Sequence, residues 1–198
     1  MNLRLGIFAS HGGSNMQAIM DACNDNKIKG RVCVVICNNS GAGAVTRAEN
    51  EGIPVFHLSS ANYPDPGDLD EAMLLVLKKY DVNLVALAGY MKKLGPAVLR
   101  EYQGRILNVH PALLPSFGGK GMYGINVHKA VIEAGERESG ATIHIVDENY
   151  DSGRILSQAV ISIDEAESPE SLSEKVLEQE HSLYVATLAK ISEGGITL

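Results

Sequence analysis

An asparagine and a histidine stand two residues apart where an apolar run ends, in the segment Leu107-Asn108-Val109-His110-Pro111. Alternate residues of a strand point to the same side, so we expect the Asn108 and His110 side chains to point together. An amide donates hydrogen bonds to a developing oxyanion, and an imidazole stabilises charge or moves protons near neutral pH. The pair therefore predicts acyl-transfer or acid–base chemistry. In isolation, its commoner explanation is a structural pair at a strand end, with Pro111 ending the strand.

A second candidate for chemistry is the acidic turn at residues 147–152, which carries Asp147, Glu148 and Asp151. Most such turns are simply solvated. One of the three carboxylates could instead orient the ring of His110 and raise its pKa by stabilising the imidazolium form. The spacing along the chain does not choose among the three carboxylates.

A glycine-rich turn, Gly-Gly-Ser-Asn at residues 12–15, stands between an apolar run and a helical pattern. Glycine lets backbone N–H groups approach an anion closely, and the start of a helix presents further unpaired N–H groups, so the turn predicts a phosphate site. The alternative is a tight strand-to-helix turn capped by Ser14. The turn matches neither a P-loop nor a full G-x-G-x-x-G, and the second strand ends at Asn38-Asn39 rather than at an acid. A mononucleotide phosphate is therefore expected rather than NAD.

Apolar runs alternate with helical patterns through the first half of the chain. We predict a loop at residues 61–68, because this stretch holds two prolines and a glycine. Alternation of strand and helix indicates βαβ units, and runs that are apolar on both faces fit a parallel sheet covered by helices. The predicted strands are residues 3–9, 32–37, 53–57, 82–88 and 106–109, and the predicted helices are 16–23, a segment ending at 51, and 69–80.

Beyond residue 111 the pattern changes. Two predicted strands, 141–146 and 153–163, flank the acidic turn and are close enough along the chain to pair antiparallel. They follow a glycine-rich loop at 115–124 and a helix predicted at 126–134, and the last helix begins at Ser168-Pro169. The sequence therefore predicts an α/β fold with a Rossmann-like, mostly parallel sheet flanked by helices and an antiparallel strand pair towards the C-terminus.

The composition limits the class of protein. A chain of 198 residues that is 45% apolar predicts one globular domain over residues 1–198. The formal net charge of −7 argues against nucleic-acid or membrane-surface partners, although backbone N–H groups can still bind a small anion. The three cysteines have no framework or zinc-site spacing, which indicates a reducing compartment, and we expect a cytoplasmic protein. No apolar run is long enough to span a membrane.

Six short stretches, each weak alone, have a highly specific order and spacing. They are GGSNMQAI from Gly12, LAGYM from Leu87, NVHPALLP from Asn108, GATIH from Gly140, DSG from Asp151 and QEH from Gln179. On these residues the chain resembles the phosphoribosylglycinamide formyltransferases over nearly its whole length. The resemblance implies a formyltransferase fold, 10-formyltetrahydrofolate as formyl donor, the amine of glycinamide ribonucleotide as acceptor, and no metal.

The resemblance also implies roles for individual residues. It makes Asn108, His110 and Asp151 the catalytic set. Of the three carboxylates in the acidic turn, the resemblance thus implies Asp151 as the partner of His110. Glu180 would contact the ribose or amine end of the ribonucleotide. An acid on the largely apolar helix face around Glu180 needs a partner, although a carboxylate on the rim of the site is the alternative.

The same resemblance assigns nucleotide and phosphate binding to residues 1–100, and folate binding and catalysis to residues 101–198. It also implies one set of residues that binds the phosphate and one that binds the folate. The substrate phosphate would be held by Gly13, Ser14 and Asn15. The folate would lie against Met91, Lys92, Lys93, Leu94, Val146, Asp147 and Glu148.

The chain departs from the family pattern in two places. The stretch 61–68 lacks the arginine that suits the folate glutamate tail, and Lys92 and Lys93 stand where an arginine and an apolar residue are usual. Gly118 replaces a frequent proline, so we expect a more mobile loop at 115–124.

Three other functions remain as alternatives. A formyltetrahydrofolate hydrolase would release formate to water, and usually carries an extra N-terminal domain, whereas this chain begins at its first strand. A methionyl-tRNA formyltransferase would carry a long basic C-terminal domain. A non-catalytic nucleotide-binding module would bind the ribonucleotide without turnover. The sequence does not distinguish a monomer from a homodimer.

Overall fold

The computed structural model describes residues 2–198. Its strands form one seven-stranded sheet. The strands are β1 (Leu3–Ala9), β2 (Gly30–Cys37), β3 (Val55–His57), β4 (Leu84–Leu87), β5 (Ile106–His110), β6 (Glu138–Ile145) and β7 (Ile155–Ser162). Their order in the sheet is β3-β2-β1-β4-β5-β6-β7. The first five strands are parallel, while β6 runs antiparallel to β5 and β7 antiparallel to β6. The predicted fold class is confirmed.

Helices cover both faces of the sheet. They are α1 (Ser14–Asn24), α2 (Gly43–Asn50), α3 (Pro66–Lys79), α4 (Pro96–Glu101), α5 (Ile125–Glu133) and α6 (Pro169–Glu193). Successive side chains of a strand point to opposite faces, so Ile7 of β1 packs in the apolar layer beneath α1 and α6, whereas Phe8 packs in the layer beneath α3 and α4. Both faces of the central strands are therefore buried, as a parallel sheet requires. In the part of the chain that the structure describes, every helix is too short or too polar to cross a lipid bilayer.

The helix α3 begins three residues earlier than predicted. Asp65 caps it, because its Oδ1 accepts hydrogen bonds from Gly67 N at 2.7 Å and Asp68 N at 3.1 Å. Pro66 occupies the first helical position, where its missing N–H has no consequence. The prediction of a loop over 61–68 is therefore wrong for its last three residues.

The short helix α4 is not among the predicted elements. It is held by Asp70 of α3, whose buried carboxylate accepts hydrogen bonds from Ala97 N at 2.6 Å and Val98 N at 3.2 Å. The helix thus depends on a cap that lies 27 residues away along the chain, outside the reach of a local pattern.

The centre of the sheet is where the order of the strands reverses. β1 lies between β2 and β4, so successive βα units depart from β1 in opposite directions and leave a crevice at the carboxyl ends of the strands. The buried Tyr184 of α6 fixes this region, since its hydroxyl donates to Leu107 O at 3.0 Å and to Leu87 O at 3.3 Å. The last helix is thereby attached to β4 and β5.

Candidate active site

A cavity of about 630 Å³ opens at the carboxyl ends of the central strands. Both halves of the chain, 1–100 and 101–198, contribute to its wall. Among the residues predicted from the sequence, the structure brings together Ser14, Asn15, Met91, Lys92, Lys93, Leu94, Asn108, His110, Val146, Asp147, Asp151 and Glu180 in this wall. Gly13 and Glu148 are not part of this wall, and Glu148 is exposed to solvent.

Asn108 and His110 lie at the end of β5 and share this cavity, as their spacing predicts. His110 is buried, and its Nδ1 lies 3.5 Å from Asp151 Oδ2. Its Nε2 donates a hydrogen bond to the carbonyl oxygen of Phe117 at 2.8 Å. Both ring nitrogens therefore face acceptors, an arrangement that favours the doubly protonated imidazolium.

The structure adds His144 to the group, a residue to which the sequence assigned no role. β5 and β6 pair so that Asn108 stands opposite His144. The Nδ1 of His144 donates to Ile145 O at 3.1 Å, and its Nε2 lies 3.1 Å from Asn108 Nδ2. The same Nε2 lies 3.5 Å from Asp151 Oδ1. His144 therefore lies in contact with both Asn108 and Asp151.

The three carboxylates of the acidic turn have different surroundings. Asp147 accepts hydrogen bonds from Asn149 N at 2.8 Å and Ser152 Oγ at 2.9 Å, so it stabilises its own turn. Asp151 alone of the three reaches His110, and its Oδ2 also accepts from Gly119 N at 2.9 Å. Asp151 has a φ of 53°, a left-handed conformation that aspartate tolerates better than most residues. The turn thus directs one carboxylate inwards.

Burial decides the direction of the His110 pKa. Desolvation lowers it, and the neighbouring Asp151 carboxylate and the Phe117 carbonyl raise it by less. The Asp151 carboxylate thus raises the His110 pKa as expected, but burial outweighs it. For Asp151 itself, burial raises the pKa, but the imidazole of His144, the N–H of Gly119 and His110 together lower it below its ordinary value. Asp151 is accordingly an ionised carboxylate at neutral pH.

The glycine-rich turn lies at the start of α1. Gly13 is the residue that precedes the helix, with a φ of 75°, and no side chain caps the helix, so Ser14 is its first residue rather than its cap. A Cβ built on Gly13 would lie 2.8 Å from Ala44 Cα, whereas a Cβ on Gly12 would meet nothing within 4 Å. The glycine at 13 is therefore required both by the left-handed backbone and by the close approach of α2.

Gly13→Ala should lower the free energy of unfolding by roughly 1–2 kcal/mol or more, because alanine is strained at positive φ and Ala44 leaves no room for it. Gly12→Ala is the matched control and should unfold close to wild type. Urea unfolding of the three proteins makes the comparison. Equal stability of the two variants would contradict the packing described for Gly13.

Glu180 of α6 is buried in the cavity wall beside α1. Its Oε2 accepts a hydrogen bond from Asn15 Nδ2 at 2.7 Å, so the side chain of Asn15 serves Glu180 rather than pointing freely to a phosphate. Burial raises the pKa of Glu180 to about 7, and the bond from Asn15 offsets this only in part. The Oδ1 of Asn15 is buried and has no hydrogen-bond partner within residues 2–198.

The raised pKa of Glu180 predicts a pH dependence of stability. Between its ordinary pKa of 4.5 and about 7, the folded protein keeps a proton on Glu180 that the unfolded chain releases. Stability should therefore fall as pH rises through this window, by up to about 3 kcal/mol relative to Glu180→Gln, which cannot ionise. Urea unfolding of both proteins from pH 4.5 to 8 measures the difference. A constant difference across this range would show that Glu180 titrates normally.

The remaining predicted residues form the opposite wall. Met91 is 43% exposed, Leu94 is buried, and the backbone N–H of Met91 donates to Ser10 Oγ at 2.9 Å. The ammonium of Lys93 lies 5.6 Å from the centre of the Tyr150 ring. This wall therefore combines apolar surface with the cations of Lys92 and Lys93, which suits a flat heterocycle that carries an anionic tail.

Comparison with known proteins gives the family. The Formyl transferase family model matches residues 3–188. The phosphoribosylglycinamide formyltransferase of Escherichia coli is 32% identical over 196 residues, which are 99% of this chain and 90% of that protein. The chain belongs to the phosphoribosylglycinamide formyltransferase family. A crystal structure of glycinamide ribonucleotide transformylase 1 from Symbiobacterium toebii is 35% identical and superposes with a TM-score of 0.93, covering 100% of this chain and 91% of that one.

A plant member of the family is more similar in sequence. The chloroplastic phosphoribosylglycinamide formyltransferase of Arabidopsis thaliana is 44% identical over 191 residues. The match covers 96% of this chain but 65% of the plant protein, so the chain spans about two thirds of that relative's length.

Proposed function

We propose that this protein transfers the formyl group of 10-formyltetrahydrofolate to the amine of glycinamide ribonucleotide, giving formylglycinamide ribonucleotide and tetrahydrofolate in purine biosynthesis. One observation carries the proposal. Asn108, His110 and Asp151 converge in a cavity that also holds the start of α1 and the buried Glu180. This arrangement supports an oxyanion-stabilising centre and a site for a phosphorylated sugar within one cavity, as this reaction needs. The names and coverage of the relatives support the same activity.

The amine nitrogen attacks the formyl carbon, and the carbonyl oxygen gains negative charge in the tetrahedral intermediate. Asn108 Nδ2 donates to that oxygen, and His110 in its protonated form supplies a second, charged donor, while Asp151 offsets part of the burial that disfavours this form. The bond from the formyl carbon to N10 of the folate then breaks, and a proton lost by the amine reaches N10, with Asp151 as its carrier. In the structure Phe117 O holds His110 Nε2, so the substrate oxygen must replace that carbonyl.

The substrates divide the cavity between them. The phosphate is assigned to Gly13, Ser14 and Asn15 at the start of α1, and Glu180 to the ribose or amine end of the ribonucleotide. The pterin is assigned to the apolar side formed by Met91, Leu94 and Val146 and to the turn at Asp147 and Glu148, with Lys92 and Lys93 near the glutamate tail. Glu148 is the weakest member of this set, because it lies outside the cavity wall.

The surroundings of the reaction complete the proposal. The partners are the two small-molecule substrates, with no metal, nucleic acid or membrane, and the protein acts as a monomer or homodimer. The three unpaired cysteines suit a reducing compartment, and we assign the protein to the cytoplasm. Cell fractionation tests this assignment. Recovery of the protein in an organelle would contradict it, and the plant relatives are named chloroplastic.

The amine substrate should be required for turnover. Purified protein and 10-formyltetrahydrofolate are assayed for tetrahydrofolate and for formate, with and without glycinamide ribonucleotide, and Asn108→Ala serves as the control for contaminating activity. We expect tetrahydrofolate to form only when the ribonucleotide is present. Formate release at a comparable rate without it would mean a hydrolase. Binding of the ribonucleotide without any turnover would mean a non-catalytic module.

A further inference from the structure

The carbonyl groups of the turn at residues 11–13 all face the protein. His11 O accepts a hydrogen bond from Ala44 N at 3.0 Å, and Gly12 O accepts one from Arg47 Nε at 2.9 Å. Gly13 O accepts one from Gln17 N at 2.9 Å. Two of these donors are backbone groups that follow from the fold. The third, Arg47, is a side chain of α2 whose guanidinium reaches across to the first turn of α1, where its Nη1 also lies 3.3 Å from Gln17 Oε1.

The direction of these carbonyls fixes the direction of the N–H groups that follow them. The peptide bonds of the turn are trans, since the cis bond recorded between residues 2 and 198 is Leu114-Pro115. In a trans peptide the N–H points opposite to the C=O of the same unit. Because Gly12 O points to Arg47, Gly13 N–H points away from α2. Within the described residues Gly13 N–H has no hydrogen-bond partner.

A second observation indicates that a ligand is missing beside this turn. Asn15, in the first turn of α1, is 6% exposed, and its Oδ1 has no hydrogen-bond partner in residues 2–198. A buried acceptor without a donor is costly unless a ligand supplies one. A phosphorylated sugar offers both an anion for the N–H groups and hydroxyl donors for such an acceptor.

We infer that Arg47 is a positioning residue for the substrate phosphate: its bond to Gly12 O holds the Gly12–Gly13 peptide so that Gly13 N–H projects towards the anion. The inference rests on the proposed function for the identity of the ligand. Two consecutive glycines place little steric restraint on the peptide between them, so this unit rotates readily when its carbonyl has no donor. Rotation would present the carbonyl oxygen to the phosphate and repel it. A surface arginine outside the cavity wall thereby controls affinity within the cavity.

The test uses inorganic phosphate as the probe, followed by NMR at the Gly13 and Ser14 amides of the full chain. In wild type, phosphate should shift both resonances. Arg47→Gln should weaken phosphate binding by about tenfold, the effect of losing a charge-assisted hydrogen bond. Arg31→Gln, which removes the same charge from the exposed start of β2, is the control and should bind phosphate as wild type does. In steady-state assays Arg47→Gln should raise KM for the ribonucleotide by about tenfold with kcat near that of wild type.

The outcomes separate this inference from the proposed function. If Arg47→Gln melts earlier but binds phosphate with wild-type affinity and an unchanged Gly13 shift, Arg47 is only structural and the inference is overturned. If Arg31→Gln weakens phosphate as much as Arg47→Gln, the effect is one of overall charge, and the inference is again overturned. If phosphate binding depends on Arg47 but no formyl transfer occurs, the inference stands and the proposed function fails.

Discussion

Asp151→Asn should lower kcat by about 100-fold or more, with little change in ribonucleotide binding or thermal stability. The substitution preserves the shape of the side chain and its capacity to accept from Gly119 N, but it removes the charge beside His110. Burial already lowers the pKa of His110, and Asp151 offsets part of that. Its loss should lower the pKa further, so that less imidazolium is present at pH 7 and the oxyanion loses a charged donor.

A double-mutant cycle tests whether Asp151 and His110 act as a unit. The variant that combines Asp151→Asn with His110→Asn should be scarcely slower than the slower single variant. NMR titration of His110 in wild type and in Asp151→Asn measures the pKa directly. Ser152→Ala is a control in the same turn, because its hydroxyl contacts Asp147 and not the histidine. Additive losses in kcat, or an unchanged His110 titration, would contradict the pairing.

Gly153→Ala should cost roughly 3 kcal/mol of stability and also most of the activity. A Cβ at this position would lie 1.8 Å from the carbonyl oxygen of Ile145, a backbone atom of the neighbouring strand. The turn can accept alanine only if the strands β6 and β7 separate at their ends, where Ile145 N pairs with Arg154 O. That movement would carry Asp151 away from His110.

The control for Gly153→Ala is Gly41→Ala, since the nearest atom to a Cβ there is Asn39 Oδ1 at 3.8 Å. It should unfold like wild type. Urea unfolding and kcat of the folded fraction are measured for both variants. If Gly153→Ala were as stable as Gly41→Ala, the close approach of β6 and β7 at this turn would be wrong.

Local signals predicted the elements wherever the cause of an element is local. Ser168-Pro169 was enough to start α6, and its hydroxyl does accept from Ser171 N at 3.1 Å. Asp65-Pro66 is the same signal at the start of α3, where the nearby Pro64 and Gly67 also favour a loop. The helix α4 is different, because its cap is a side chain of another helix. A one-dimensional pattern carries no information about that contact.

The site residues also divide into those that local spacing predicts and those that depend on distant contacts. The spacing of Asn108 and His110 predicted that they share a cavity, since strand periodicity alone decides this. His144 could not be placed, because its contact with Asn108 depends on the register of the antiparallel pair β5 and β6, which a linear pattern does not determine. Its position directly before the acidic turn was the available signal. The roles of the site residues stay predictions until the variants are measured.

The bond between Asn15 and Glu180 joins residues 165 apart in sequence, one in the first helix and one in the last. Contacts of such long range cost the most chain entropy and tend to form late in folding. The ribose end of the proposed site is therefore complete only when α6 is packed beside α1. Once formed, this end of the site would couple ligand to fold, and a ribonucleotide at 100 times its Kd would add about 2.7 kcal/mol to the stability of the native state.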